Sequence, residues 1–373
     1  MNFHQLLEKM VSANASDMFV TAKLAVSAKI NGELQPITDH VLSADESLGL
    51  VYNAMNEKQV RQFDEEKECN FAISIENIGR FRISAFWQRD MAGMVIRRIV
   101  TDIPDLEELG LPSVLKDVVM SKRGLLLFVG GTGTGKSTSM ASLIGYRNRN
   151  SRGHILTIED PVEFVHEHGK CMVTQREVGL DTESFDAALK SSLRQAPDVI
   201  LIGEIRSQAT MEYALSFAET GHLCIATLHA NNANQAIDRI MHLVPAEQHG
   251  KLLFDLALNL RGIIAQQLVP TRDGNGRVAV IEVLLNSPYI GELIKKGEIG
   301  SIKEVMQKSN ELGMQTFDQA LFNVYQQGLI TYADAIHHAD SPNDLRLMIK
   351  LRSNDQSGTG GLSGITIEGM EPK

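Results

Sequence analysis

Cysteine is scarce in this chain. Cys69, Cys171 and Cys224 are the only three among 373 residues, and no two form a Cys-x-x-Cys pair. That usage excludes a disulfide framework and a thiolate zinc site, and it fits a reducing compartment. Long apolar runs are also missing, since none approaches the roughly 18 residues that span a bilayer. Positive charge is in deficit: 36 Lys and Arg stand against 46 Asp and Glu, a net charge of −10. Binders of nucleic-acid backbones draw most of their affinity from cationic side chains, so no nucleic-acid partner is expected, although a local basic channel is compatible with the balance. What is present is ordinary for a folded chain. Hydrophobic residues make up 43% and charged residues 22%, which excludes bulk disorder. At about 150 residues per domain, the length predicts two domains and some extra pieces.

Phe3, Leu6, Leu7, Met10 and Val11 recur at helical spacing, with Glu8 and Lys9 between them. This predicts an amphipathic helix rather than the apolar core of a signal peptide. Its apolar face either packs on its own domain or meets a membrane surface or partner. Residues 1–100 read as a small α+β domain. An Asn31-Gly32 turn marks one hairpin and Glu76–Gly79 a second, with residues 45–63 helical between them. On the outgoing arm of the second hairpin, Phe81, Ile83 and Ala85 alternate with Arg80, Arg82 and Ser84, the period of a half-buried strand. Residues 101–123, punctuated by Pro104, Gly110 and Pro112, read as a linker. Residues 124–352 read as an α/β domain. Short apolar runs at 125–129, 155–158, 199–202 and 223–228 alternate with helical patterns, which predicts a parallel sheet covered on both faces. Beyond about residue 245 the pattern is mostly helical, and an apolar helix precedes Val269. Residues 353–373, rich in Gly and Ser, predict a disordered tail.

Gly130-Gly131-Thr132-Gly133-Thr134-Gly135-Lys136-Ser137 fits the phosphate-loop pattern G-x-x-x-x-G-K-[ST], and a helix-compatible stretch from Thr138 follows. Glycines let the backbone turn its N–H groups toward phosphate oxygens, and the helix N-terminus adds positive potential. Lys136 is expected to reach the β and γ phosphates of ATP, and the Ser137 hydroxyl to ligate Mg²⁺.

Hydrolysis also needs a metal ligand and a group that orients water. Ligands of open α/β sheets sit beyond the carboxyl ends of the strands. That rule selects Glu204, just past the run 199–202, as the second Mg²⁺ ligand, and rejects Asp198 at the opposite end, roughly 13 Å away at about 3.3 Å per residue. Glu159, Asp160 and Glu163 follow the run 155–158. Glu163 is the preferred general base, and Asp160 with Pro161 could instead cap a helix. His222 and His229 flank the last run. An extended chain separates them by more than about 20 Å, so they cannot share a metal. His229 stands at the nucleotide end, and either one reads equally well as an ordinary surface or capping histidine. His166 and His168 read as solvated.

Four boxes occur here in a fixed order: Gly130–Ser137, Ile158-Glu159-Asp160-Pro161-x-Glu163, Gly203-Glu204-Ile205-Arg206, and Gly221-His222 with Thr227-Leu228-His229. With them the chain, up to about residue 351, resembles the type II/IV secretion ATPases. Within that family it is most similar to the type IV pilus retraction ATPases of the PilT and PilU kind, and above all to the PilU-type members. The resemblance implies a RecA-like P-loop NTPase motor domain preceded by a small PAS-like domain. It implies a homo-hexamer, cytoplasmic and peripheral, docked on a pilus platform protein at the inner membrane. It carries over Glu204 as the Walker B acid, Glu163 as the acidic-box carboxylate, and His222 and His229 as the histidine box. Arg80, Arg82 and Arg97 are the positions matching arginines that complete a neighbour's site. Pilus assembly ATPases insert a tetracysteine module where this chain has only 269–276, which favours the retraction side. Where PilT carries Ala-Ile-Arg-Asn-Leu-Ile-Arg, the stretch Tyr289–Lys295 keeps the apolar skeleton but lacks both arginines, which implies work alongside a PilT-type partner ATPase. A nucleic-acid-translocating ring and an ATP-binding regulatory subunit of a mixed motor remain the alternatives.

Overall fold

A computed structural model of the chain describes residues 2–30, 32–76, 78–99 and 102–356, with side chains up to Leu351. The fold is α/β with two sheets. The chain packs as two compact units: Met1–Pro104 with Ile144–Gly203, and Asp105–Leu143 with the described residues from Glu204 onward.

The first unit contains β1 (Asp17–Thr21), β2 (Ala25–Ile30), β3 (Glu33–Val41), β4 (Glu68–Ile75), β5 (Gly79–Gln88) and β6 (Met91–Ile99). These form an antiparallel sheet in the order β3-β2-β1-β6-β5-β4. In the β2–β3 hairpin Ile30 stands opposite Glu33, and Gly32 has a φ of +87° that glycine adopts without strain. Helix Phe3–Ser12 buries Phe3, Leu6, Leu7 and Met10 in one core with Met18, Phe63, Phe81, Ile83, Met94 and Ile96. Its apolar face is therefore committed to its own domain. Burial of such side chains is worth about 1.5–3 kcal/mol each.

The expected helix over 45–63 is two helices, Ala44–Asn53 and Glu57–Glu66. The Asn56 side chain accepts from the N–H groups of Lys58 and Gln59, and Gln59 answers to the Asn56 N–H. That capping box restarts the helix.

After the sixth strand come β7 (Gly124–Val129), β8 (Gly153–Glu159), β9 (Cys171–Glu177), β10 (Val199–Ile202), β11 (Leu223–Leu228), β12 (Leu260–Pro270) and β13 (Arg277–Leu285). In the first unit β8 pairs in parallel with both β9 and β10. In the second the order is β13-β12-β7-β11, with β7 parallel to both neighbours and β12–β13 antiparallel.

Beyond 245 most of the described residues are helical, as expected, but the apolar helix expected before Val269 is corrected here. The helix stops at Asn259 and Leu260–Pro270 is a strand. Leu252, Leu256, Leu260 and Ile263 keep a helical spacing, but Gly262 and the β-branched pair Ile263-Ile264 follow. A Cβ at Gly262 would stand 2.7 Å from the Leu284 carbonyl oxygen, so β13 approaches closely only because glycine is there. The strand β9 was also missed, because Cys171-Met172-Val173-Thr174-Gln175-Arg176-Glu177 is half polar and lacks an apolar run. A short helix, Val114–Val119, lies within 101–123. Helix Pro342–Gln356 runs into the first four residues of the expected tail, and residues 357–373 lie outside the described residues. Among the described residues no helix is long and apolar enough to cross a membrane.

Candidate active site

In the second unit, buried β7 delivers the chain to Gly130 at a φ of +153°. A Cβ there would lie 2.6 Å from the Gln266 carbonyl oxygen on β12 and 2.7 Å from the Thr134 hydroxyl. Gly135, at φ +84°, would collide with Gln266 Nε2 at 2.8 Å. Both glycines are thus required by packing as well as by backbone conformation. The Thr134 hydroxyl donates to the Gly131 carbonyl at 3.0 Å and ties the loop across its mouth. Gly131, Thr132 and Gly133 are exposed. Helix Lys136–Asn150 then begins, and Ser137 and Thr138 lie in its first turn, where backbone N–H groups have no helical acceptor. Lys136 Nζ donates to the carbonyls of Gly130 at 2.8 Å and Gly131 at 2.7 Å. Neutral carbonyls hold an ammonium more weakly than an anion does, so the lysine is parked where phosphate would compete for it.

Glu204 leaves the tip of β10, and the Ile205 N–H binds the Thr227 carbonyl of β11. One carboxylate oxygen of Glu204 lies 3.2 Å from His229 Nε2, and the other accepts from Arg206 Nε at 2.6 Å. Gly130, Gly131 and His229 line a common cavity of about 510 Å³ with Asn231, Asp238 and Arg239. The phosphate loop, Glu204 and His229 therefore meet in one place. His222 does not join them. It sits at the other end of β11, where its Nδ1 is 3.2 Å from the Thr220 hydroxyl and the Phe217 carbonyl. No group of three or more His, Cys, Asp or Glu able to hold a metal occurs among the described residues.

The remaining candidates lie in the first unit. Asp198 accepts the His154 N–H at 2.7 Å, so its carboxylate closes the entry of β8. Glu159 is desolvated at the exit of β8. Burial pushes its carboxyl above the ordinary range, opposed by hydrogen bonds from Thr157 at 2.6 Å and Gln175 at 3.1 Å and reinforced by the charges of Glu163 and Glu177. Glu163 is exposed instead, within reach of water. Asp160 caps no helix. The Asp160-Pro161 peptide is cis, and residues 160–170 contain no helix, which corrects that alternative. The reading of His166 as solvated is also corrected, whereas His168 is exposed. Burial pushes the His166 imidazole down to about 4, and His168 Nδ1 accepts the Val173 N–H at 3.1 Å.

Arg80 and Arg82 share a face of β5, and Arg97 on β6 stands opposite Arg82 in register. Arg82 Nη2 donates to Glu177 Oε1 at 2.9 Å, Arg80 Nη2 lies 3.9 Å from Glu177 Oε2, and Arg97 Nε donates to Asp17 at 2.8 Å. Two participants escaped the reading of the sequence. Glu177 ends the polar strand β9. Gln266, buried beneath the loop, is a lone amide in an apolar strand, and the polar pair Gln266-Gln267 inside that run was the available signal.

A model of the family described as type II/IV secretion system protein matches residues 2–336. The chain is 61% identical over 366 residues to the type IV pilus ATPase PilU of Pseudomonas aeruginosa, an alignment covering 98% of this chain and 95% of that one. It is 40% identical to the type IV pilus retraction ATPase PilT of the same organism, over 92% of this chain and all of that one. A crystal structure of the pilus retraction motor PilT with bound ADP superposes with a TM-score of 0.88 at 38% identity, covering 93% of this chain and 100% of that chain.

Proposed function

The chain belongs to the type II/IV secretion system protein family, and on that premise we propose that it is a type IV pilus retraction ATPase of the PilU kind, a RecA-like P-loop motor with a PAS-like domain at residues 1–100. The observation that carries this is that Gly130 and Gly131 of the Lys136 loop line one cavity with His229, whose ring contacts Glu204. Their donor set fits ATP with Mg²⁺: a glycine loop that tolerates no side chain at Gly130 or Gly135, and hard oxygen donors from Ser137 and Glu204. Ser137 and Glu204 would hold the Mg²⁺, which would supply neutralisation of the phosphate charge.

The chain's own groups do the rest. Lys136 leaves its two carbonyls for the phosphates. Glu204 gives up the Arg206 contact to hold the metal side of the site, while His229 senses that carboxylate. Exposed Glu163 takes the proton of the attacking water. Arg80, Arg82 and Arg97 complete the γ-phosphate site of a neighbouring copy in a homo-hexamer, a contribution of about 10³–10⁵ in rate for arginines of this type. Loss of the γ-phosphate frees them, and the ring passes the motion to the pilus platform at the cytoplasmic face of the inner membrane. The altered Tyr289–Lys295 stretch supports joint work with a PilT-type motor. Twitching and pilus retraction in strains carrying Lys136→Ala, alone and without the partner ATPase, test the reading. Retraction under load is expected to fall, and unchanged retraction in both backgrounds would overturn it.

A further inference from the structure

Glu177 is buried, with 5% of its side chain exposed, and it faces two arginines. Its root is fixed. The Glu177 carbonyl accepts the N–H groups of Leu180, Asp181 and Thr182, and its own N–H donates to Asp181. Oε1 receives Arg82 at 2.9 Å. Oε2 receives the backbone N–H of Val162, the residue before Glu163, at 3.1 Å. Arg80 is treated differently: its nearest approach to Glu177 is 3.9 Å, and its buried Nε has no hydrogen-bond partner. One carboxylate thus satisfies one arginine, leaves a second with unused donors, and pins the backbone next to the candidate base. A buried ion pair stabilises little compared with an apolar replacement, so its value lies in geometry.

We propose that Glu177 is the positioning residue of the hydrolytic site: it makes Arg82 a tether, leaves Arg80 as the arginine that meets phosphate, and sets the chain at Val162 so that Glu163 is aimed. The proposal rests on the reading of Arg80 and Glu163 as catalytic given above. A half-buried cation with an unfilled donor is a receptor for an anion, whereas Arg82 would have to abandon a charge-assisted bond to serve. Glu177 touches no reacting atom in this account and acts through the groups it holds.

The test is steady-state ATP hydrolysis by the full-length assembled protein. Arg80→Gln should lower kcat by about 10³-fold. Arg82→Gln and Glu177→Gln should each lower it by about 10- to 100-fold through misplacement, with KM for ATP unchanged. The double variant E177Q/R82Q should be no slower than the slower single, because both changes cut the same tether. It removes the Arg82–Glu177 pair as a unit, so it carries the test if E177Q alone does not fold, and turnover equal to R82Q is then the expected result. Wild-type kcat in E177Q, or a double loss equal to the product of the single losses, would overturn the assignment of Glu177. Wild-type kcat in R80Q would instead overturn the catalytic-arginine reading beneath it.

Discussion

The phosphate loop and the arginine pair restrain their cations in opposite ways. Lys136 rests on two neutral carbonyls of its own loop, five and six residues away in sequence. Arg82 is held by a buried carboxylate 95 residues away. The first restraint yields to any phosphate. The second yields only if Glu177 is left with its charge uncompensated, which costs about 3–5 kcal/mol when a buried pair is broken. The contrast separates a cation that moves to its ligand from one that organises the site.

Lys136→Ala should test the movable side most severely. Turnover should fall by about 10³-fold or more, since one lost donor to the reacting phosphate already costs about 10²–10³, with phosphate release as the readout. Glu204→Gln should keep nucleotide binding and slow turnover by about 10²–10⁴, the range for a positioned proton-transfer or polarising group. Equal binding with unchanged turnover would move the role elsewhere. On the fixed side, Glu177→Gln should lower Tm by roughly 6–20 °C, at about 2–4 °C per kcal/mol for a body of this size.

The smallest effect comes from another deeply buried carboxylate, Glu282. It accepts the Ala233 N–H at 2.8 Å, with Lys303 attracting and Asp340 repelling its charge. Burial pushes it from 4.5 up to about 7. Between those values the folded chain keeps a proton that the unfolded chain has lost, so this group makes stability fall as pH rises through the window. Thermal melts of Glu282→Gln should show that component removed, a difference of a few degrees between pH 5 and pH 8. An unchanged pH slope would mean that the burial of Glu282 is fully compensated by its partners.

What could be read from the sequence follows the same division. The phosphate loop is eight consecutive residues behind a continuously apolar strand, and strand direction alone puts Glu204 at the nucleotide end and Asp198 at the other. Glu177 could not be read. It ends a strand whose polar half gives no periodic signal, and its partners are distant in sequence. The β12 strand was hidden because Leu252 to Ile263 keep a helical spacing that the parallel pairing with β7 overrides. Desolvation of His166 comes from tertiary packing, which no local pattern records.

In the proposed function a working site draws the loop from one copy and the arginines from another. Mixing Lys136→Ala protein with Arg80→Gln protein, each nearly inactive alone, tests it most directly. Under this account mixed assemblies regain ATP hydrolysis well above the sum of the two separate samples, because an intact loop can face an intact Arg80. Activity equal to that sum at every mixing ratio would mean that each copy completes its own site, and would contradict it.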